Sequence, residues 1–197
     1  MLRRACGIGH KSSSKGESLV QNLVKNGQSL AGTGKLDPVT QAQRNDVPSL
    51  FSQLTGTWGL ISYTNQNESG EIEFPLGRDA TGFLIYTGDG YMSAQLMMQK
   101  RPDYASGDVH NGTQAEMAAA ANGYLAYSGP FYVDEATRAV THMMTISLRP
   151  KWIGQIQSRV LKLNQDHLIM TMDPRLAFGS LGSPRLEWRR VQPNIGG

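Results

Sequence analysis

At 197 residues and 21.6 kDa, with 39% apolar residues, the chain has room for one domain plus a tail, and too little apolar content to be compact throughout. Its net charge of +3 is uneven: residues 1–49 hold seven Lys/Arg against three acids, and the remainder hold twelve against thirteen. A basic leader on a near-neutral body excludes a nucleic-acid-binding face as the source of the pI of 9.1, the single Cys6 excludes an intramolecular disulfide, and no apolar run reaches the length of a membrane span.

The opening stretch, "MLRRACGIGHKSSSKG", is rich in Arg, Lys and Ser and lacks the long apolar core of a secretory signal. Residues 1–45 read as a basic, largely disordered tail, because their Ser, Gly, Asn and Lys bury too little apolar area to offset chain entropy. The expected location is the cytoplasm, with a mitochondrial-type leader as the alternative. Within the tail, "ESLVQNLVKN" has the spacing of a short amphipathic helix through Leu19, Val20, Leu23 and Val24. Two phosphate-loop lookalikes fail. "GIGHKS" follows no strand, and "SLAGTGKL" has Ser29 in place of the first glycine and Leu36 in place of the magnesium-binding hydroxyl. Asp37-Pro38 and Asp46-Val47-Pro48 are expected to start helical turns with Asp as the cap. The second turn carries Leu50, Phe51 and Leu54 towards the body.

From there the pattern becomes that of strands, expected at 56–64, 82–88, 90–99, 125–133, 138–148, 154–163, 167–173 and 185–191. Turn residues separate them, and Asp89-Gly90 is the strongest hairpin signal. One helix interrupts the series at 114–122. Thr113 and Glu116 form a capping box ahead of four alanines, and Asn122-Gly123 stops the helix. Its alanine-rich face is expected to lie against the sheet or plug one end. Short turns mean antiparallel neighbours, and eight such strands close into a barrel with room for one small ligand. The expected fold is mainly β: an eight-stranded antiparallel barrel over 46–192, one short helix between its third and fourth strands, and a C-terminal tail over 193–197. A two-sheet sandwich would need longer crossover connections.

Several blocks then resemble a known family. "LTGTWGLISY" resembles the glycine-x-tryptophan entry strand of lipocalins and their calycin relatives. "PLGRDATGFLIYTGDGYMSAQL", "AYSGPFYVD", "VTHMMTISLRPKWIGQIQSRVLKL" and "LEWRR" resemble, in order, the lipocalin-like domain family of bacteria and fungi, over about residues 50–191. The resemblance implies that the entry tryptophan, Trp58, two residues after Gly56, packs at the closed end against an arginine of the last strand, Arg189 or Arg190. These four residues are read as structural. It also implies a link to natural-product pathways, where some members are associated with cyclisation, isomerisation or dehydration of polyketide and terpenoid intermediates.

Strand alternation selects the candidate site. Val140, His142, Met144, Ile146 and Leu148 share one face; Gln157, Arg159, Leu161 and Leu163 another; Leu125, Tyr127, Phe131 and Val133 a third; Tyr91, Ser93, Gln95 and Met97 a fourth. If these faces line the interior, His142, Arg159 and Tyr127 are the candidate catalytic residues. Tyr91, Gln95, Met97, Phe131, Met144 and Gln157 are then the candidate ligand-binding residues. Each has a plainer alternative: a hydrogen-bonded core histidine, an arginine paired with Asp173 or Glu187, ordinary strand tyrosines. His10, His110, His142 and His167 lack metal-ligand spacing. No Gly-x-Ser-x-Gly elbow or dinucleotide fingerprint occurs, so no metal and no cofactor is expected. The expected partner is a small hydrophobic molecule, with no nucleic acid and no membrane insertion; the sequence is compatible with a homodimer. Two functions fit. In one, His142 moves a proton beside a carbonyl while Arg159, helped by Tyr127 or Tyr91, stabilises the enolate, giving a cofactor-free isomerase, cyclase or dehydratase. In the other, the barrel carries a hydrophobic metabolite without changing it.

Overall fold

The computed structural model describes residues 48–177 and 180–193. The expectations for residues 1–47, including the tail, its helix and both Asp-capped turns, lie outside the described residues. The first described element is a short helix, α1 (Leu50–Leu54), whose N-cap is Ser49. It continues through β1 (Gly56–Asn67), β2 (Ile72–Glu73), β3 (Thr81–Tyr86), β4 (Tyr91–Met97), α2 (Gln114–Asn122), β5 (Tyr124–Asp134), β6 (Ala139–Met143), β7 (Ile146–Ser147) and a 3-10 turn (Pro150–Trp152). The last strands are β8 (Ile156–Asn164), β9 (His167–Thr171), β10 (Arg175–Ala177) and β11 (Ser180–Arg190).

Eight strands pair antiparallel in the order β1, β3, β4, β5, β6, β8, β9, β11, and β11 returns to β1, so the sheet closes. The short β2, β7 and β10 attach to β1, β5 and β11 outside this ring. Closure follows from local chemistry. Asp89-Gly90 makes the β3–β4 hairpin, with Gly90 at φ 90°, where glycine has no Cβ penalty. Leu84, Tyr86, Met92, Ala94, Leu96, Leu125, Tyr127, Phe131, Val140, Met144, Leu161, Leu168, Met170, Leu186 and Trp188 then form one buried core.

Helix α2 spans the expected residues and carries the full capping box. None of its residues is buried, so its alanines do not plug the barrel. The helix that packs on the core is α1, at the turn expected to carry Leu50, Phe51 and Leu54 into the body. Leu50 and Leu54 are buried, Phe51 stacks on Phe131 with ring centroids 5.2 Å apart, and the carboxylate of Glu135 accepts from the N–H groups of Leu50 and Phe51 at 2.8 and 3.2 Å. The C-terminal end of α1 is satisfied by the entry motif itself. Trp58 Nε1 donates to the Leu54 carbonyl at 2.8 Å, and Arg190 donates to the Thr55 carbonyl at 3.0 Å and to the Gln53 carbonyl. The Arg190 guanidinium lies 4.1 Å from the Trp58 ring. Gly56 precedes them at φ 127°, and a Cβ there would sit 2.9 Å from Arg190 Nη1. Arg189, the other candidate, is exposed on the outer face.

Two strands depart from simple alternation. β1 carries a bulge between Leu60 and Ser62, which leaves Ile61 exposed and turns Tyr63 and Asn65 inward in place of even-numbered residues. The expected strand 138–148 breaks after Met143. Gly129 of β5 lets the Met143 carbonyl approach so closely that any Cβ would overlap it. Met144 stays buried through bonds with the backbones of Gln155 and Gly154, while Thr145 N–H donates to the Ser128 carbonyl. Ile146, 69% exposed, and Leu148 therefore leave the interior face on which the alternation placed them.

Candidate functional site

Register brings His142 opposite Phe131 on one side and Gln157 on the other, while Arg159 sits opposite Val140. Both polar side chains point inward, and both are buried, Arg159 with 4% exposure. The Tyr86 hydroxyl lies 2.6 Å from His142 Nε2. Tyr86 packs on Phe131, and Tyr127 packs on His142 and edge-on to Trp152. Arg159 Nη2 donates to the Tyr127 hydroxyl at 3.1 Å and to Gln157 Oε1 at 3.2 Å, and Nη1 donates to the Gln157 carbonyl at 3.0 Å. The alternative for Arg159, an ion pair with Asp173 or Glu187, does not form. Glu187 instead pairs with Arg185 and His167, and among the described residues no carboxylate forms an ion pair with Arg159.

Burial fixes the protonation of the pair. It pushes the Tyr86 phenol well above 10.0, with the Arg159 charge pulling the other way by less. It also pushes His142 well below the ordinary histidine value of 6.5, and the Arg159 charge adds to that effect. Both groups are neutral at pH 7. The phenol is the better donor and the imidazole nitrogen the better acceptor, so Tyr86 donates to Nε2 and the proton of His142 sits on Nδ1. That Nδ1 is buried with no partner, as are Trp188 Nε1 and Asn65 Oδ1. Two of the three are donors, so two N–H groups lie buried without an acceptor. Among the described residues no cluster of His, Cys, Asp and Glu could hold a metal ion, and no helix is long and apolar enough to cross a membrane.

The family profile described as a lipocalin-like domain matches residues 55–191. The chain belongs to the lipocalin-like domain family. The 4'-hydroxy-3'-methoxypropiophenone carrier protein ppsC of Aspergillus oryzae is 36% identical over 107 residues, which cover 51% of this chain and 96% of that relative. A lipocalin-like protein from Bacteroides uniformis is 14% identical with a TM-score of 0.39, covering 71% of this chain and 99% of that one. A redesigned β-barrel is 12% identical with a TM-score of 0.37, covering 75% of this chain and 98% of that one. As a lipocalin-like barrel, the domain is capable of binding a small hydrophobic ligand.

Within this lipocalin-like barrel the candidate residues divide. His142, Arg159, Tyr127, Phe131 and Met144 are buried together, and Gln157 joins them half-buried on the Arg159 face. Tyr91, Gln95 and Met97 are on the wrong side. Tyr91 is 56% exposed, Gln95 accepts a hydrogen bond from Tyr124 on the outer face, and Met97 lines an external cleft of about 490 Å³ beside Arg101 and Tyr104. The inner face of β4 is Met92, Ala94 and Leu96. Those residues are all apolar and alternate with polar ones, so the sequence held the signal. Tyr86, Trp152 and Trp188 were not among the candidates. Tyr86 shares its strand parity with Leu84, and Trp188 with Leu186, which marks both as inward-facing.

The buried histidine gives a pH prediction. Its folded pKa is below the unfolded one, so between the two the unfolded chain binds more protons. Stability is complete above pH 6.5 and falls as pH drops towards the folded pKa, by up to about 1.4 kcal/mol per pH unit. The His142→Gln variant is expected to lose this slope in urea melts between pH 6.5 and about 5. That window lies above the range of the Glu116 and Asp134 carboxylates, which backbone hydrogen bonds hold below 4.5 and 3.8. An unchanged slope would mean that His142 is not the group responsible.

Proposed function

We propose that this lipocalin-like domain carries a small aromatic molecule bearing an oxygen acceptor inside its barrel and releases it unchanged. The observation behind this reading is the set of buried donors within a mainly apolar core: Arg159 without a carboxylate partner and the unpartnered His142 Nδ1. Apolar walls supply affinity, and a few placed donors fix orientation. The carrier named among its relatives is consistent with such a cargo, since an aryl ketone offers a ring and oxygen acceptors.

Proton transfer by His142, as in an isomerase, cyclase or dehydratase, fits the cluster less well. A general base works best with a pKa near the operating pH. Burial drives His142 and Tyr86 away from it in opposite directions, and Nε2 is already engaged.

The test uses the full chain with 4'-hydroxy-3'-methoxypropiophenone as the probe. Tryptophan fluorescence is expected to report saturable one-to-one binding, and mass spectrometry to recover the ketone unchanged after long incubation. Recovery of an isomer or dehydrated product, lost in His142→Gln, would replace carriage with catalysis.

A further inference from the structure

The chemistry of Arg159 specifies the ligand more narrowly, on the premise that the barrel carries an aromatic molecule. A guanidinium stays charged at every accessible pH, and burying a charge is costly unless it is paired. Arg159 is buried, yet its partners are neutral: a tyrosine hydroxyl, a side-chain amide and a backbone carbonyl. The neutral His142 and Tyr86 supply no counter-charge either. The barrel thus holds one buried positive charge that its own described side chains leave uncompensated.

The spent hydrogen bonds decide what shape of anion fits. Both N–H groups of Nη2 are committed, one to Tyr127 and one to Gln157 Oε1. Each two-pronged edge of a guanidinium uses one of those groups, so the forked docking of a carboxylate is blocked. Single N–H groups remain, and they suit one oxygen atom. Tyr127 adds a second donor: its oxygen accepts from Arg159, which leaves its own proton to give. The rings of Tyr127, Trp152, His142 and Phe131 pack beside these donors.

We infer that the ligand binds as a phenolate: a single aryl oxygen, ionised on entry, held between the Arg159 guanidinium and the Tyr127 hydroxyl. The released proton goes to solvent, and no bond other than O–H breaks.

The experiment compares 4-hydroxyacetophenone with 4-methoxyacetophenone, which has the same ring and ketone but cannot ionise. Wild-type protein is expected to bind the phenol roughly ten- to a hundredfold more tightly than the ether. The bound phenol should show the red-shifted phenolate absorbance at a pH where the free compound is protonated. Arg159→Met and, as a milder change, Tyr127→Phe should narrow the preference, and Arg159→Met should abolish the phenolate band. Equal binding of phenol and ether by wild type, without the band, would overturn the phenolate inference and leave carriage standing. Binding of neither compound, nor of the propiophenone above, would overturn both. The wild-type comparison does not depend on whether either variant folds.

Discussion

Gly129→Ala is expected to cost about 3 kcal/mol or more, at the upper end of overpacking penalties, and to abolish ligand binding with it. The added methyl would overlap the Met143 carbonyl oxygen and lie 2.9 Å from both the amide and the hydroxyl of Thr145. Two of these three neighbours are backbone, and no side-chain rotation relieves the clash. β6 would have to move off β5, taking with it the buried Met144 and its bonds to Gln155 and Gly154. Those bonds hold the turn that carries Trp152 against Tyr127. Gly88→Ala is the control: nothing lies within 4 Å of its Cβ, so its change should stay within about 0.5 kcal/mol. Urea midpoints of the two variants decide the matter. Equal midpoints would mean that the β5–β6 approach is softer than the structure shows.

What could be read from the sequence was what short-range chemistry determines. The Asp89-Gly90 hairpin and the Thr113–Glu116 capping box each need only a few consecutive residues, and both are present. The inward faces of His142, Arg159 and Tyr127 follow from alternation within single strands, and they too are where that pattern puts them. Alternation misleads on β4, where polar groups and not apolar ones suggest the inner face. There the row Tyr91, Ser93, Gln95 and Met97 offers the polar groups a ligand needs, but Met92, Ala94 and Leu96 outcompete it for burial. Of the two arginines the resemblance offers, Trp188 fixes the parity that sends Arg190 towards Trp58. The remaining features depend on distant partners. Glu135 caps α1 from 85 residues away, the β1 bulge adjusts to β11, and the break at Met144 exists because Gly129 of a neighbouring strand has no side chain. Tyr86 joins His142 across 56 residues, through barrel closure alone.

Trp58→Ala is expected to destabilise the barrel by about 3–5 kcal/mol, the range for removing a large buried aromatic. Against a typical stability of roughly 5–15 kcal/mol, that leaves little folded protein in mild denaturant. The loss has two parts that a double-mutant cycle separates. One is the apolar area of the indole. The other is the shared task of Trp58 and Arg190, which together satisfy the carbonyls of Gln53, Leu54 and Thr55 at the end of α1. Arg190→Met alone should cost about 1.5–3 kcal/mol, since it removes charge-assisted hydrogen bonds and the contact over the ring. Once either residue is gone, the end of α1 frays and the other has less to hold. The double variant should therefore fall short of the sum by about 1 kcal/mol or more. Amide exchange should show α1 opening first, because its five residues form no stable helix alone and rest on this pair at one end and Glu135 at the other. Strict additivity, with α1 still protected in both single variants, would mean that the two residues stabilise the barrel separately and that the helix is held by its buried leucines.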